Sequence, residues 1–337
     1  MRVLGLLALL VLTLSAARAD VPDTRTEQAR SLLENAQREL SANAAEIDQR
    51  SGLTQVLTAR LRAHLSQVAT TASPDEMLLL AQLDAGLVDQ LATQTYVSLS
   101  AVRGASAGLL PAIGPKKLAH ALAIYVPTSV IVHGMTPLII YLHGKGQSEA
   151  DVIASPLVRS WADAGGAVVV APYSSDEDML SDASIGELYQ ALGAIEDAMH
   201  ADRRHTFLAG NSLGGFAAFR TLAEGPERWR AGLVIEGAVA QGDSDFVAAH
   251  VHGKALYLVA GSNDASVSAA YMRQLASWLR SNGALVTYYE QPDGTHSLQS
   301  VAPMASKAWH DMLAGVVPTG TTNEVLPQGP TPPATRP

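Results

Sequence analysis

A serine hydroxyl is a weak nucleophile at neutral pH, and this 337-residue chain carries what is needed to activate one. Gly210-Asn211-Ser212-Leu213-Gly214, followed by Gly215, fits the pattern G-x-S-x-G. It follows an apolar run at 206–209 that reads as a strand, and it opens a stretch at 213–223 that reads as a helix. A sharp strand-to-helix turn crowds the residues on either side of the serine. Glycines there remove Cβ clashes, and the turn holds the hydroxyl out above the sheet. The helix start also offers backbone N–H groups to an oxyanion forming on a carbonyl. Taken alone, the pattern is equally a glycine-rich turn; its placement is what favours a nucleophile.

The base and its partner are sought downstream. Gly261-Ser262-Asn263-Asp264 follows a strand expected at 255–259, and Pro292-Asp293-Gly294-Thr295-His296 follows one at 285–289. We assign His296 as the base that takes the Ser212 proton, and Asp264 as the acid that fixes the imidazole tautomer. Asp293 lies only three residues before His296 and reaches the ring poorly, while Asn263 has no charge. His205 and His310 read as surface or helix-end residues. A second oxyanion donor is expected in His143-Gly144-Lys145-Gly146-Gln147, directly after a strand at 138–142. The N–H of Lys145 is the candidate, paired with that of Leu213, and His143 reads as a brace for this loop.

These residues need a scaffold that collects strand ends at one edge. From residue 121 onward, short apolar strands at 121–126, 138–142, 167–171, 206–209, 231–235, 255–259 and 285–289 alternate with helices at 152–164, 185–200, 213–223, 269–281 and 305–313. Such alternation predicts an α/β fold, a mostly parallel sheet with helices on both faces. Each candidate residue then sits just past a strand, on one edge of that sheet. The same rule places Asp176, Glu177, Asp178 and Asp182, together with Asp243 and Asp245, on this edge as a negative rim.

The remaining segments differ in character. Residues 1–19 have a positive start, a short apolar run and Ala17-Arg18-Ala19, which reads as a cleaved signal peptide and an exported protein, periplasmic or secreted. The run of about 12 residues is short of the ~20 needed to span a bilayer. Residues 20–100 read as helical, with Leu33, Leu40 and Ile47 spaced by seven and Leu53, Leu57, Leu61 and Leu65 by four. Ser73-Pro74-Asp75-Glu76 is a helix start, and that helix is expected to end near residue 91. A helical hairpin packed on the catalytic domain is preferred over a separate partner-binding module. The catalytic domain is placed at 101–316, and a disordered Pro-rich tail at 317–337.

Composition narrows the partners. The chain has no cysteine, which excludes disulfides, a lipid-acceptor thiol and any Cys-based metal site or nucleophile. Without residues 1–19 it has 21 basic and 32 acidic side chains, a formal charge of −11, which argues against nucleic acid or an anionic membrane as partner.

Residues 121–313 resemble the esterase and polyhydroxybutyrate-depolymerase branch of the α/β-hydrolase superfamily, which includes feruloyl and acetylxylan esterases. The resemblance rests on Tyr125-Val126-Pro127, Leu142-His143-Gly144-Lys145-Gly146-Gln147-Ser148, Gly210-Asn211-Ser212-Leu213-Gly214-Gly215, Gly261-Ser262-Asn263-Asp264 and Gly294-Thr295-His296. Residues 20–100 lie outside it. It implies the α/β-hydrolase fold, a triad in the chain order Ser, acid, His, and an acyl-enzyme on Ser212. It also implies no metal or organic cofactor, and a small-molecule or polymer-borne carboxylic ester as partner. No later segment is long and apolar enough to span a bilayer, so no stable membrane insertion is expected after signal cleavage. Lys145 stands where relatives more often have a small, apolar or cysteine residue, and exported relatives often carry disulfides. Both departures leave the substrate open. Two other readings share the scaffold. A prolyl-oligopeptidase-type peptidase would carry a large N-terminal propeller, which eighty helical residues cannot form. A non-catalytic binding protein would lack a triad member, and here all three are present.

Overall fold

Side chains alternate across a strand, so a strand that is apolar at every position must be covered on both faces. The strands predicted at 138–142 and 231–235 are of this kind, and the computed structural model buries every residue of them and of the strand at 206–209. It describes residues 23–68, 70, 73–113, 118–175 and 179–316. The signal peptide at 1–19, the tail at 317–337 and Asp176, Glu177 and Asp178 of the expected rim lie outside the described residues. No described helix is long and apolar enough to cross a membrane.

Among the described residues four helices come first: α1 (Thr24–Ala42), α2 (Ala44–Arg50), α3 (Thr54–Gln67) and α4 (Pro74–Thr93). The sheet then begins with β1 (Gly104–Ile113), β2 (Leu118–Val126) and β3 (Leu138–Leu142). Next come α5 (Glu149–Ala154), α6 (Pro156–Gly165), β4 (Val168–Pro172), α7 (Asp182–Met199), β5 (Thr206–Asn211) and α8 (Leu213–Glu224). The chain continues through β6 (Ala231–Ile235), α9 (Ser244–His250), β7 (Ala255–Gly261), α10 (Ala269–Ser281), β8 (Leu285–Gln291) and α11 (Ala302–Ala314). Among the described residues these strands form one eight-stranded sheet in the order β1-β2-β4-β3-β5-β6-β7-β8. β2 is antiparallel to both neighbours, and β3 to β8 run parallel. The two faces build two cores. Ile139, Val169, Phe207 and Leu233 pack with Trp161, Trp309 and the N-terminal helices. Ile140, Val170, Leu208 and Val234 pack with Leu192, Phe219 and Leu279.

Three expectations need correction. The sheet begins before the first expected strand at 121–126, with β1, which contains Gly104, Gly108 and Pro111. As an edge strand it can carry a proline, and its register shifts between Leu110 and Ile113. The helix expected at 152–164 is two, because Pro156 lacks the N–H needed in a helix interior. It starts α6 instead, with Ser155 accepting from the Val158 N–H as N-cap. The helical segment is four helices rather than a hairpin. The seven-residue series crosses the break at Asn43, with Leu33 and Leu40 on α1 and Ile47 on α2, all three buried.

The segment packs on the sheet, and its leucines belong to the same core as Ile139 and Val169. The Gln90 amide caps the exposed side of β1, donating to Ala107 O at 3.1 Å and accepting from Leu109 N at 2.9 Å. Deeper in, Arg60 of α3 bridges Asp84 of α4 (Nε–Oδ1 2.8 Å) and Glu149 of α5 (Nη1–Oε1 2.6 Å). His64 of α3 holds Asp84 through Nδ1 at 2.6 Å and faces Asp151 of α5 through Nε2 at 3.6 Å. Charges this deep are tolerable only when paired.

The network has a pH signature. Burial opposes the charged form of His64, but the facing carboxylates of Asp151 and Asp84 outweigh it and hold the ring at about 9, above its ordinary 6.5. A histidine raised on folding contributes its full stability below its unfolded value and loses it as pH rises through the folded one. His64→Gln should therefore flatten the fall in melting temperature between about pH 6.5 and about pH 9 by several degrees relative to wild type. Parallel melting curves for the two proteins would show that His64 plays no part in holding the helices.

Candidate active site

The turn between β5 and α8 is built for close approach. Ser212 has φ 49° and ψ −118°, a left-handed conformation that a side chain rarely adopts. Its N–H is held by Ile235 O of β6 at 2.9 Å. A Cβ on Gly210 would collide with the Gly214 carbonyl, and one on Gly214 with the Leu142 carbonyl at the end of β3. Only glycine lets α8 start directly on the β3–β5 edge. Leu213 is the first residue of α8, so its N–H has no acceptor within the helix.

The structure brings together the three residues singled out in the sequence. Ser212 Oγ lies 2.8 Å from His296 Nε2, and His296 Nδ1 lies 2.7 Å from Asp264 Oδ2. The other Asp264 oxygen accepts from Ser266 N at 2.7 Å and Val267 N at 2.8 Å, which fixes the carboxylate on its loop. The hydrogen bond to Asp264 raises the His296 pKa above the ordinary imidazole value, against the opposing effect of burial. The two loops are knitted together, with Ser262 N bonded to Gln291 O and Asn263 N to Gly294 O. Asp293 is an exposed turn residue at φ 57°, its N–H donating to Ser262 Oγ at 2.8 Å.

Leu213 follows Ser212 directly, and Lys145 sits on the loop after β3. Gly144 and Lys145 line the same cavity as Ser212 and His296. The loop that carries Lys145 is pinned from both ends. His143 is buried, with Nδ1 on Gly144 O at 2.9 Å and Nε2 on Ser174 O at 3.1 Å. Gln147 Oε1 accepts from Gly144 N at 3.0 Å and Asn211 Nδ2 at 3.4 Å, which ties the loop to the residue before Ser212. The bracing by Gln147 and Asn211 went unremarked in the sequence.

Glu236 was also missed. It follows β6 directly, is 2 % exposed, and has φ 52°. Its Oε1 accepts from Ser297 N at 3.2 Å, so it grips the loop just beyond His296. Burial pushes its carboxyl up to about 7, with the charge of Asp264 adding to this and His296 opposing it. The buried Tyr141 of β3 lines the same cavity, and its hydroxyl finds no partner among the described residues. A signal was available: an acid directly after a parallel strand lies on the same edge as the other candidates.

Ligand atoms of Glu236, Asp264 and His296 lie within 4.8 Å of one another, a spacing that could hold a cation. The His296 nitrogens already face Ser212 and Asp264, so a cation there would displace one of those bonds. The expected negative rim is partly spent elsewhere. Arg220 of α8 pairs with Asp182 and Asp243, each at 2.8 Å, and Asp182 lines a separate cavity beside α7.

No protein-family model matches this chain, and no curated protein sequence does. Solved structures do match its fold. A hyperthermophilic esterase from Pyrobaculum calidifontis superposes with TM-score 0.52 at 15% identity, over 65% of this chain and 89% of its own. A fluorophosphonate-binding serine hydrolase of Staphylococcus aureus gives 0.53 at 11%, over 62% and 98%. The feruloyl esterase module from Clostridium thermocellum gives 0.52 at 14%, over 65% and 91%. At these identities the likeness is one of architecture, and with the sheet order above it shows that the chain has the α/β-hydrolase fold.

Proposed function

We propose that this protein is a carboxylic ester hydrolase that works through an acyl-enzyme on Ser212. The observation that carries the reading is the unbroken hydrogen-bond chain Ser212 Oγ–His296 Nε2 and His296 Nδ1–Asp264 Oδ2, at 2.8 and 2.7 Å. His296 takes the hydroxyl proton as Ser212 attacks the ester carbonyl, and Asp264 stabilises the resulting imidazolium. The backbone N–H groups of Leu213 and Lys145 receive the oxyanion of the tetrahedral intermediate. His296 then returns its proton to the departing alkoxide. A water deprotonated by the same ring cleaves the acyl-enzyme, releasing the acid and restoring Ser212.

Ser212→Ala should fold normally, lose labelling by a fluorophosphonate probe, and lower p-nitrophenyl ester turnover by roughly 10³-fold or more. A variant with near-normal turnover would remove Ser212 from the mechanism. Faster cleavage of amino-acyl nitroanilides than of esters by the wild type would make the protein a peptidase instead. Asp264→Asn should cost roughly 10³–10⁴-fold in kcat through loss of tautomer control, while Asp293→Asn stays near wild type. The reverse ranking would move the acid to Asp293.

His296 must be neutral to act as base, so activity falls on acidification as the ring gains its proton. The charge of Glu236 favours the imidazolium. Glu236→Gln keeps an acceptor for the Ser297 N–H and removes that charge. The acid limb of kcat/KM should then move to lower pH by roughly half a pH unit. A profile that stays in place would leave Glu236 as a brace for the loop alone.

A further inference from the structure

The cavity at Ser212 has a volume of about 430 Å³ and draws one of its walls from the N-terminal helices. Glu76 and Leu80 of α4 line it beside Val152 of α5 and Leu157 and Val158 of α6. Residues four apart on a helix share a face, so Glu76, Leu80 and Asp84 form one stripe on α4. The near end of that stripe faces the cavity. The far end, Asp84, is locked into the buried network with Arg60 and His64. Arg60 also binds Glu149, the first residue of α5, and His64 faces Asp151 on the same helix. Asp151 in turn caps α5 by accepting from Ser148 N at 2.7 Å. The wall is therefore fixed to the helix that directly follows the Lys145 loop.

Its chemistry is mixed. Leu80, 4 % exposed, sits with Val152, Leu157 and Val158 as an apolar surface. Glu76 and Asp151 add carboxylates to the lining; Lys145, exposed at the loop, is the lysine or arginine among the lining residues. Burial raises the pKa of Glu76, with Arg159 of α6 opposing this and Asp151 adding to it.

We propose that the α4 wall selects the ester, with Leu80 limiting the length of the substituent that enters beside it and Glu76 disfavouring one that bears a carboxylate. The inference rests on the hydrolase reading of Ser212. It gives the helical segment, which no part of the triad requires, a place in substrate choice.

The test uses the full chain and two ester series, one lengthening the acyl group of p-nitrophenyl esters and one lengthening the alcohol of acetate esters. Leu80→Ala should extend the length limit in one series, with a gain of roughly tenfold in kcat/KM for the first chain beyond the wild-type limit. Labelling of Ser212 by a small fluorophosphonate should stay within a few-fold of wild type. Glu76→Gln, at a position that is only half-buried, should shrink the preference for a neutral substituent over a carboxylate-bearing one of equal size by about threefold or more. Unmoved length limits in both series, with labelling retained, would overturn the role of Leu80; an unmoved charge preference would overturn that of Glu76. If Leu80→Ala fails to fold, Leu80→Met and Leu80→Val, which change the wall by less, read the same limits. A wild type that neither labels nor hydrolyses any ester is a different failure, that of the hydrolase reading itself.

Discussion

The start of α8 rests on the carbonyl end of β3 with no room for a side chain between them, and the remainder of the site is arranged around that contact. Because Gly214 can approach the Leu142 carbonyl, the first turn of α8 reaches the loop that leaves β3. Ser212 at the start of α8 and Gly144 and Lys145 of that loop then line one cavity from two elements far apart in sequence. Ser212, two residues before Gly214, takes a left-handed conformation and is held by the bond of its N–H to Ile235 O. Strain of this kind persists only where surroundings over-determine it. Here β3, β5 and β6 all contribute, and all three are buried throughout.

The ends of β6, β7 and β8 supply charge to this frame. Asp264 is immobilised by two backbone N–H groups and holds His296 on one side. Glu236 reaches the same ring from β6 and is tied to the loop by the Ser297 N–H. A second carboxylate beside an imidazole has opposite effects on two quantities. It would stabilise an imidazolium formed during the proposed attack, and it makes the resting ring easier to protonate. Burial moderates the conflict by lifting Glu236 to about 7, so its charge grows as the medium becomes less acidic.

The parallel sheet and the Ser212, Asp264 and His296 positions were legible because their signals are local. Runs such as 138–142 and 231–235 are apolar at every residue, and each candidate lies within a few residues of a strand end. What was missed depends on contacts between distant segments. Gln147 is an ordinary loop residue until Asn211, sixty-four positions away, shares its oxygen. Glu236 is a single acid in an apolar stretch, and only its burial against His296 distinguishes it. β1 was hidden because glycine and proline weaken a central strand yet are tolerated at an edge. The helical content of residues 20–100 was readable from leucine spacing, whereas the break at Asn43 and the contact with the cavity were not.

That contact changes what the buried ion network is for. Arg60, His64, Asp84, Glu149 and Asp151 bury more charge than docking two apolar surfaces requires, and such clusters are weak sources of net stability. Apolar packing alone would let α4 settle at several nearby offsets on α5, since Leu against Val tolerates small slips. A guanidinium fixed by Asp84 and Glu149, with an imidazole placed between the same Asp84 and Asp151, does not, because a slip leaves a buried charge unpaired. The network thus holds α4 in one register on α5. A wall that limits substituent length, as proposed for α4, needs a fixed position more than it needs adhesion, and directional ionic bonds supply it.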